Sequence, residues 1–93
     1  MKPLLDVLVI LDALYKEGSF AAASAKLYKT PSALSYTVQK LESNLNIQIL
    51  DRTGHRARFT RTGQMLLEKG RDVLHTVREL EKQAVKLHQG WEN

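Results

Sequence analysis

The side chains best suited to chemistry lie on one face of a helix predicted over residues 31–44. Thr30 is a good N-cap for this helix, and the fixed φ of Pro31 suits its first position. One face is rich in hydrogen-bonding groups and carries little charge: Ser32, Ser35, Tyr36, Gln39, Lys40 and Ser43. Such groups complement the donors and acceptors of base edges in a DNA major groove. The pattern favours a helix that reads DNA, with an ordinary amphipathic surface helix as the alternative.

Enzyme chemistry has little support in this sequence. There is no cysteine, and no Gly-rich phosphate loop, metal-ligand cluster or nucleophile–base signature occurs. Asp51 and His55 are four residues apart but straddle a predicted hairpin, so they do not share a helix face. His75 and His88 belong to a predicted long helix, where solvated histidines are common. We therefore predict that this chain is not an enzyme and holds no metal or cofactor.

Basic residues are concentrated in the middle of the chain. Residues 26–61 contain seven Lys and Arg against two acidic residues, a balance of +5, while the rest has seven basic and eight acidic residues. A localised basic region is the electrostatic footprint of a nucleic-acid-binding face. The apolar start of the chain is too short to span a membrane and contains Asp6. We therefore expect a soluble, cytoplasmic protein.

The elements around the polar helix predict a helix-turn-helix arrangement. Residues 4–15 read as a helix that is apolar almost all round, and Gly18 is its stop signal. Ser19 is the N-cap of a short Ala-rich helix over residues 20–27, and residues 28–30 leave room only for an abrupt turn. In the polar helix, Asn46 suits the end, and the spacing predicts one buried stripe: Leu34, Val38, Leu41 and Leu45.

A basic hairpin is predicted after the polar helix. Residues 47–51 and 57–60 have strand character, and Gly54 lies at the bend between them. Arg52, Arg56 and Arg58 then fall in or beside the tip, where arginine can reach phosphates or a narrow minor groove. The alternative is a solvated hairpin with a few charges.

The last element is a long helix that begins at the Thr60 N-cap, or at Thr62 if the start slips by one turn. Its apolar residues repeat as a heptad seam, with Gly70 at one of the inner positions. Leu67 and Leu74 widen the stripe in the first half, which we expect to touch the preceding domain. The second half has only a seam that a single helix cannot bury, so we predict a homodimer; the alternative is a helix folded back on its own domain. The predicted dimer-interface residues are Leu66, Val73, Val77, Leu80, Ala84 and Leu87.

The predicted fold class is thus mainly α. A winged helix-turn-helix DNA-binding domain, three helices plus a two-stranded wing, occupies residues 1–60. A linker and dimerisation helix follows over residues 61–89, and residues 90–93 begin a hinge.

Four motifs in this order resemble the N-terminal DNA-binding region of LysR-type transcriptional regulators. They are Gly-Ser-Phe-Ala-Ala-Ala at residues 18–23, Pro-Ser-Ala-Leu-Ser-Tyr at 31–36 with Gln-Lys-Leu-Glu at 39–42, Leu-Asp-Arg at 50–52, and Thr-Arg-Thr-Gly at 60–63. The resemblance implies a bacterial regulator that binds dyad-symmetric promoter DNA as a dimer. It also implies a C-terminal domain that binds a small-molecule inducer. That domain is absent from this sequence, so we interpret the chain as an excised domain.

The resemblance also suggests contacts. It implies base-facing positions for Pro31, Ser32, Ser35 and Tyr36, and backbone contacts for Lys40 and Arg52. Many members have Gln in place of Pro31 and Arg in place of Tyr36, so we expect more reliance on methyl contacts and DNA shape here. The full set of predicted DNA-binding residues is Thr30, Pro31, Ser32, Ser35, Tyr36, Gln39, Lys40, Arg52, Arg56 and Arg58. The rival function, a protein-interaction module, would predict an apolar patch on the recognition helix.

Overall fold

The computed structural model describes residues 3–53 and 58–90. The elements in chain order are α1 (Leu4–Glu17), α2 (Phe20–Lys26), α3 (Pro31–Leu45), β1 (Leu50–Asp51), β2 (Arg58–Phe59) and α4 (Arg61–His88). This order confirms the predicted fold class of three helices, a two-stranded hairpin and a long C-terminal helix.

Local capping residues set the helix boundaries, as predicted. Gly18 ends α1 with φ 89°. The Ser19 hydroxyl accepts a hydrogen bond from the Ala22 N–H at 3.1 Å and starts α2. Thr60 accepts one from the Gly63 N–H at 3.0 Å and starts α4, so the alternative start at Thr62 is wrong. Each cap satisfies an amide that would otherwise lack a partner at a helix start.

The hydrophobic core lies between the three short helices, the first strand and the first half of α4. Its largest fully buried side chains are Leu11, Leu34, Leu41, Ile49, Leu50, Val7 and Val38. Phe20 and Leu27 pack at the margin of this core, and Ala23 is completely buried. The three short helices thus enclose one core, which fixes the orientation of α3.

The predicted stripe on α3 extends one turn too far. Leu45 is 38 % exposed, while the three apolar residues before it are buried. Because α3 ends at Leu45 and the chain reverses through Asn46 with φ 56°, Ile47 packs against the core instead. The apolar periodicity of α3 was predicted correctly, but the core is too small to cover its last turn.

The wing strands are shorter than predicted. Leu50 pairs with Phe59 and Asp51 with Arg58 in an antiparallel ladder. Thr60 belongs to the helix cap rather than to a strand, although its N–H still donates to the Ile49 carbonyl at 3.1 Å. The predicted bend at Gly54 and the residues Arg56 and Ala57 lie outside the described residues.

The first half of α4 packs on α1. Leu67 and Leu74 are buried there, as predicted. Gly70 is also buried, and a Cβ at this position would lie 2.6 Å from Cδ2 of Leu8. Assigning Gly70 to a dimer seam was therefore wrong, because this glycine allows α4 to approach α1 within the same chain.

Hydrogen bonds and ion pairs around Asp12 reinforce the packing of α4 on α1. Asp12 accepts a hydrogen bond from Arg71 Nε at 3.1 Å and pairs with Lys16 Nζ at 3.1 Å. The Arg71 guanidinium lies 4.6 Å from the ring centroid of Tyr15. Burial raises the pKa of Asp12, but the hydrogen bonds from Arg71 and Lys16 outweigh it and leave the pKa below its usual value.

Within residues 3–53 and 58–90, every helix is too short or too polar to cross a membrane.

Candidate nucleic-acid interface

One face of α3 and the residue before it form a continuous polar surface. We call Thr30, Pro31, Ser32, Ser35, Tyr36, Gln39 and Lys40 the recognition surface. Ser35 is half-buried, and the other six are exposed. Lys40 Nζ lies 5.9 Å from the ring centroid of Tyr36, so a cation and an aromatic ring lie side by side in the second turn. The structure thus brings together all predicted site residues of the helix.

The core determines which side of α3 faces outward. Leu34, Val38 and Leu41 are 0–1 % exposed on the opposite side, which fixes the rotation of the helix about its axis. At the N-terminus, the Thr30 hydroxyl accepts from the Ala33 N–H at 3.1 Å and lies 3.4 Å from the Ser32 hydroxyl. The side chain of Thr30 therefore caps α3, and its exposed hydroxyl can still form a further hydrogen bond.

A buried carboxylate, missed in the sequence, connects α3 to the wing. Glu42 is only 7 % exposed. Its Oε2 accepts hydrogen bonds from the backbone N–H groups of Ile49 at 2.7 Å and Leu50 at 3.1 Å. Its Oε1 lies 3.4 Å from Nη1 of Arg52. One signal was available: Glu42 follows Val38 by four residues, which places a charged residue on the apolar face.

The described part of the wing carries two of the three predicted arginines. Arg52 contacts Glu42 through one guanidinium nitrogen. Because its side chain is 32 % exposed, its other guanidinium N–H groups can donate to a ligand. Arg58 is exposed and faces Asp51 across the ladder. Arg56 lies outside the described residues. Arg52 is thus held beside α3, while Arg58 extends the basic surface along the wing.

Asp51 shapes the start of the wing turn. Its Oδ1 accepts hydrogen bonds from the N–H of Thr53 at 3.0 Å and from its hydroxyl at 2.8 Å. The Thr53 backbone N–H, the Thr53 hydroxyl and the charge of Arg58 together lower the pKa of Asp51. The carboxylate is therefore ionised at neutral pH and accepts both hydrogen bonds from Thr53.

A second, apolar surface runs along the far part of α4. Leu80 and Leu87 are 64 % and 67 % exposed. Val73 and Ala84 are also exposed, Val77 is half-buried, and Leu66 at the start of the seam packs against the core. The described residues of this chain thus leave most of the predicted seam uncovered. On α1, Leu5 and Val9 are exposed as well.

Comparison with known proteins gives matches over most of the chain. The family model described as "Bacterial regulatory helix-turn-helix protein, lysR family" matches residues 5–64. The chain is 88 % identical to the uncharacterized HTH-type transcriptional regulator YeeY of Escherichia coli K12, over 100 % of this chain and 30 % of that protein. It is 50 % identical to the probable HTH-type transcriptional regulator YhaJ of the same organism, over 95 % of this chain and 30 % of that protein. The chain thus spans less than a third of these relatives.

Solved structures share the fold. The BenM DNA-binding domain in complex with catB site 1 DNA superposes with a TM-score of 0.84 at 28 % identity, covering 92 % of this chain and 97 % of that one. The CbnR DNA-binding domain in complex with DNA gives a TM-score of 0.79 at 23 % identity, over 90 % of this chain and 97 % of that one.

Proposed function

Because the chain belongs to the lysR family of bacterial regulatory helix-turn-helix proteins, we propose that it binds dyad-symmetric promoter DNA as a dimer. The chain is the DNA-binding domain of a transcriptional regulator, and the family is not one of enzymes. The observation that carries the proposal is the recognition surface, which exposes hydrogen-bonding groups beside the basic wing. We place the protein in the bacterial cytoplasm, where promoter DNA is found.

In this mechanism, each α3 enters a major groove with its first two turns. The base edges face Pro31, Ser32, Ser35 and Tyr36, with Thr30 and Gln39 beside them, while Lys40 and the wing arginines bind phosphates. A dimer holds two copies of α3 at a fixed separation, about one DNA turn or a multiple of it. The target is therefore expected to contain two inverted half-sites.

Selection of bound duplexes from a random DNA pool at near-physiological salt tests this proposal. We expect enrichment of a motif with two inverted half-sites. Replacing Ser35 or Tyr36 with alanine should change the preferred base within each half-site, because these side chains face the base edges. A pool that stays random with the wild-type chain would contradict sequence-specific binding.

Replacing Arg52 with alanine is expected to weaken binding to all sequences alike. Loss of one phosphate contact per subunit should reduce the slope of log K against log salt by about one per subunit. Fluorescence anisotropy over a salt series measures this slope. Lys16→Ala is the control, since Lys16 pairs with Asp12 on α1 and removing it changes the net charge equally. An unchanged slope for Arg52→Ala would indicate that Arg52 contacts Glu42 but no phosphate.

The proposed dimer forms through α4, with the exposed apolar residues of α1 assisting. Leu80→Asp should place a charge in the centre of the seam and leave monomers at micromolar concentration. Sedimentation velocity measures the change. Val85→Asp introduces the same charge at an exposed valine of α4 outside the seam and should leave the dimer intact. If Leu80→Asp sediments like the wild type, the seam is not the interface.

We further propose that the full-length protein continues into an inducer-binding domain. Two observations support this proposal: the chain covers only 30 % of YeeY, and 30 % of YhaJ. A small molecule bound there would act on the spacing of the two copies of α3, because α4 connects the domains.

A further inference from the structure

Tyr28, in the turn between α2 and α3, combines an unfavourable backbone with an unburied side chain. Its φ is 58°, in the left-handed region. Apart from this tyrosine, positive φ in residues 3–53 and 58–90 occurs at Gly18, Asn46 and Gly90. Glycine and asparagine tolerate this conformation, whereas a bulky aromatic residue is a true outlier there. Tyrosine is thus an energetically unfavourable residue at this position.

The fold requires the conformation but not the tyrosine. The Lys29 N–H donates to the Ser24 carbonyl at 2.9 Å, and the Tyr28 N–H donates to the Ala25 carbonyl at 3.3 Å. These two bonds close the end of α2 and need a left-handed residue between them. The end of α3 closes in the same way, with Ile47 N–H on the Glu42 carbonyl at 2.9 Å, and there the left-handed residue is Asn46.

Packing does not explain the choice either. Tyr28 is 95 % exposed, so its ring covers almost no apolar surface of the domain. A side chain that strains the backbone and gains no burial is retained at functional sites more often than elsewhere. The exposed ring therefore points to a partner outside the chain.

The position of Tyr28 favours DNA as the partner. Two residues of chain span at most about 7 Å, so Tyr28 lies beside Thr30, the first residue of the recognition surface. The exposed side chains of Lys26 and Lys29 flank it, which makes the turn attractive to an anion. Tyrosine hydroxyls donate hydrogen bonds to phosphate oxygens at protein–DNA interfaces. We infer that the Tyr28 hydroxyl binds a backbone phosphate at the edge of the groove that α3 enters. This inference rests on the proposed function.

Tyr28→Asn and Tyr28→Phe separate strain from contact. Asparagine suits the left-handed backbone, so Tyr28→Asn should raise the melting temperature, whereas Tyr28→Phe keeps the strain and should leave it unchanged. Both variants lose the hydroxyl and should bind about tenfold more weakly. The loss should be equal for the selected duplex and an unrelated duplex, and the salt slope should not change, because no charge is removed.

Tyr15→Phe provides the matched control, because Tyr15 is an exposed tyrosine whose ring contacts Arg71 on α4. It should bind both duplexes like the wild type. Wild-type affinity in both Tyr28 variants would overturn the phosphate contact and leave the proposed function intact. A loss confined to the selected duplex would instead indicate a base contact and would also overturn this inference. A wild-type chain that binds no duplex would overturn the proposed function, and the Tyr28 contact with it.

Discussion

Gly63→Ala is expected to lower the free energy of unfolding by about 3 kcal/mol, although alanine is the better helix former. A Cβ at Gly63 would overlap the backbone carbonyl oxygen of Ile49. That carbonyl cannot move aside, because it accepts hydrogen bonds from the N–H and the hydroxyl of Thr60, both at 3.1 Å. Relieving the overlap therefore displaces the start of α4 and its cap. Urea denaturation followed by circular dichroism measures the loss.

Gly70→Ala is the matched control. Gly70 is also a buried glycine of α4, and both substitutions gain the same helix propensity. At Gly70 the added methyl group meets the end of the Leu8 side chain, which can change its rotamer, rather than a fixed backbone atom. The control should therefore lose less stability than Gly63→Ala. Equal losses would show that the Ile49 carbonyl yields as readily as the Leu8 side chain, and would contradict this explanation.

Glu42→Leu is expected to cost about 3 kcal/mol of stability and to weaken DNA binding as well. Leucine is similar in size, but it leaves the buried N–H groups of Ile49 and Leu50 without their acceptor, at about 1–3 kcal/mol each. The gain in apolar burial offsets part of this loss. Because Glu42 also contacts Arg52, the wing should lose its fixed position beside α3.

Glu42→Gln separates the two effects. A glutamine oxygen can still accept from both backbone N–H groups, while the ion pair with Arg52 is lost, so stability should fall by only about 1 kcal/mol. Thermal unfolding measures the stability of each variant, and anisotropy with the selected duplex, recorded well below each melting temperature, measures its DNA binding. If Glu42→Leu were as stable as the wild type, the carboxylate would not be what holds β1 to α3.

The helix starts and the recognition surface could be predicted because their causes are local. Caps such as Thr30 and Thr60 act within three residues, and the apolar stripe of α3 fixes which face is exposed. The errors concern partners distant in sequence. Gly70 fits a heptad in isolation, and only its contact with Leu8 shows that it belongs to the domain.

Two features of the candidate site were missed for related reasons. Glu42 interrupts an apolar stripe, but the N–H groups that donate to it lie seven and eight residues further on, beyond the range of helical periodicity. Tyr28 carries no turn propensity, so its left-handed backbone could not be predicted from residue type. In both cases tertiary structure overrides local preference.

The backbone of Ile49 links α3 to the start of α4, which has a mechanical consequence. Its N–H is held by Glu42 of α3, and its carbonyl is held by Thr60 and covered by Gly63 at the start of α4. At about 1.5 Å per residue, α4 extends roughly 42 Å from this point and acts as a lever with its pivot beside the recognition helix. We therefore expect a small rotation at the far end of α4 to be transmitted to α3 and β1 together. If two chains pair through α4 as proposed, such a rotation would change the separation of the two copies of α3.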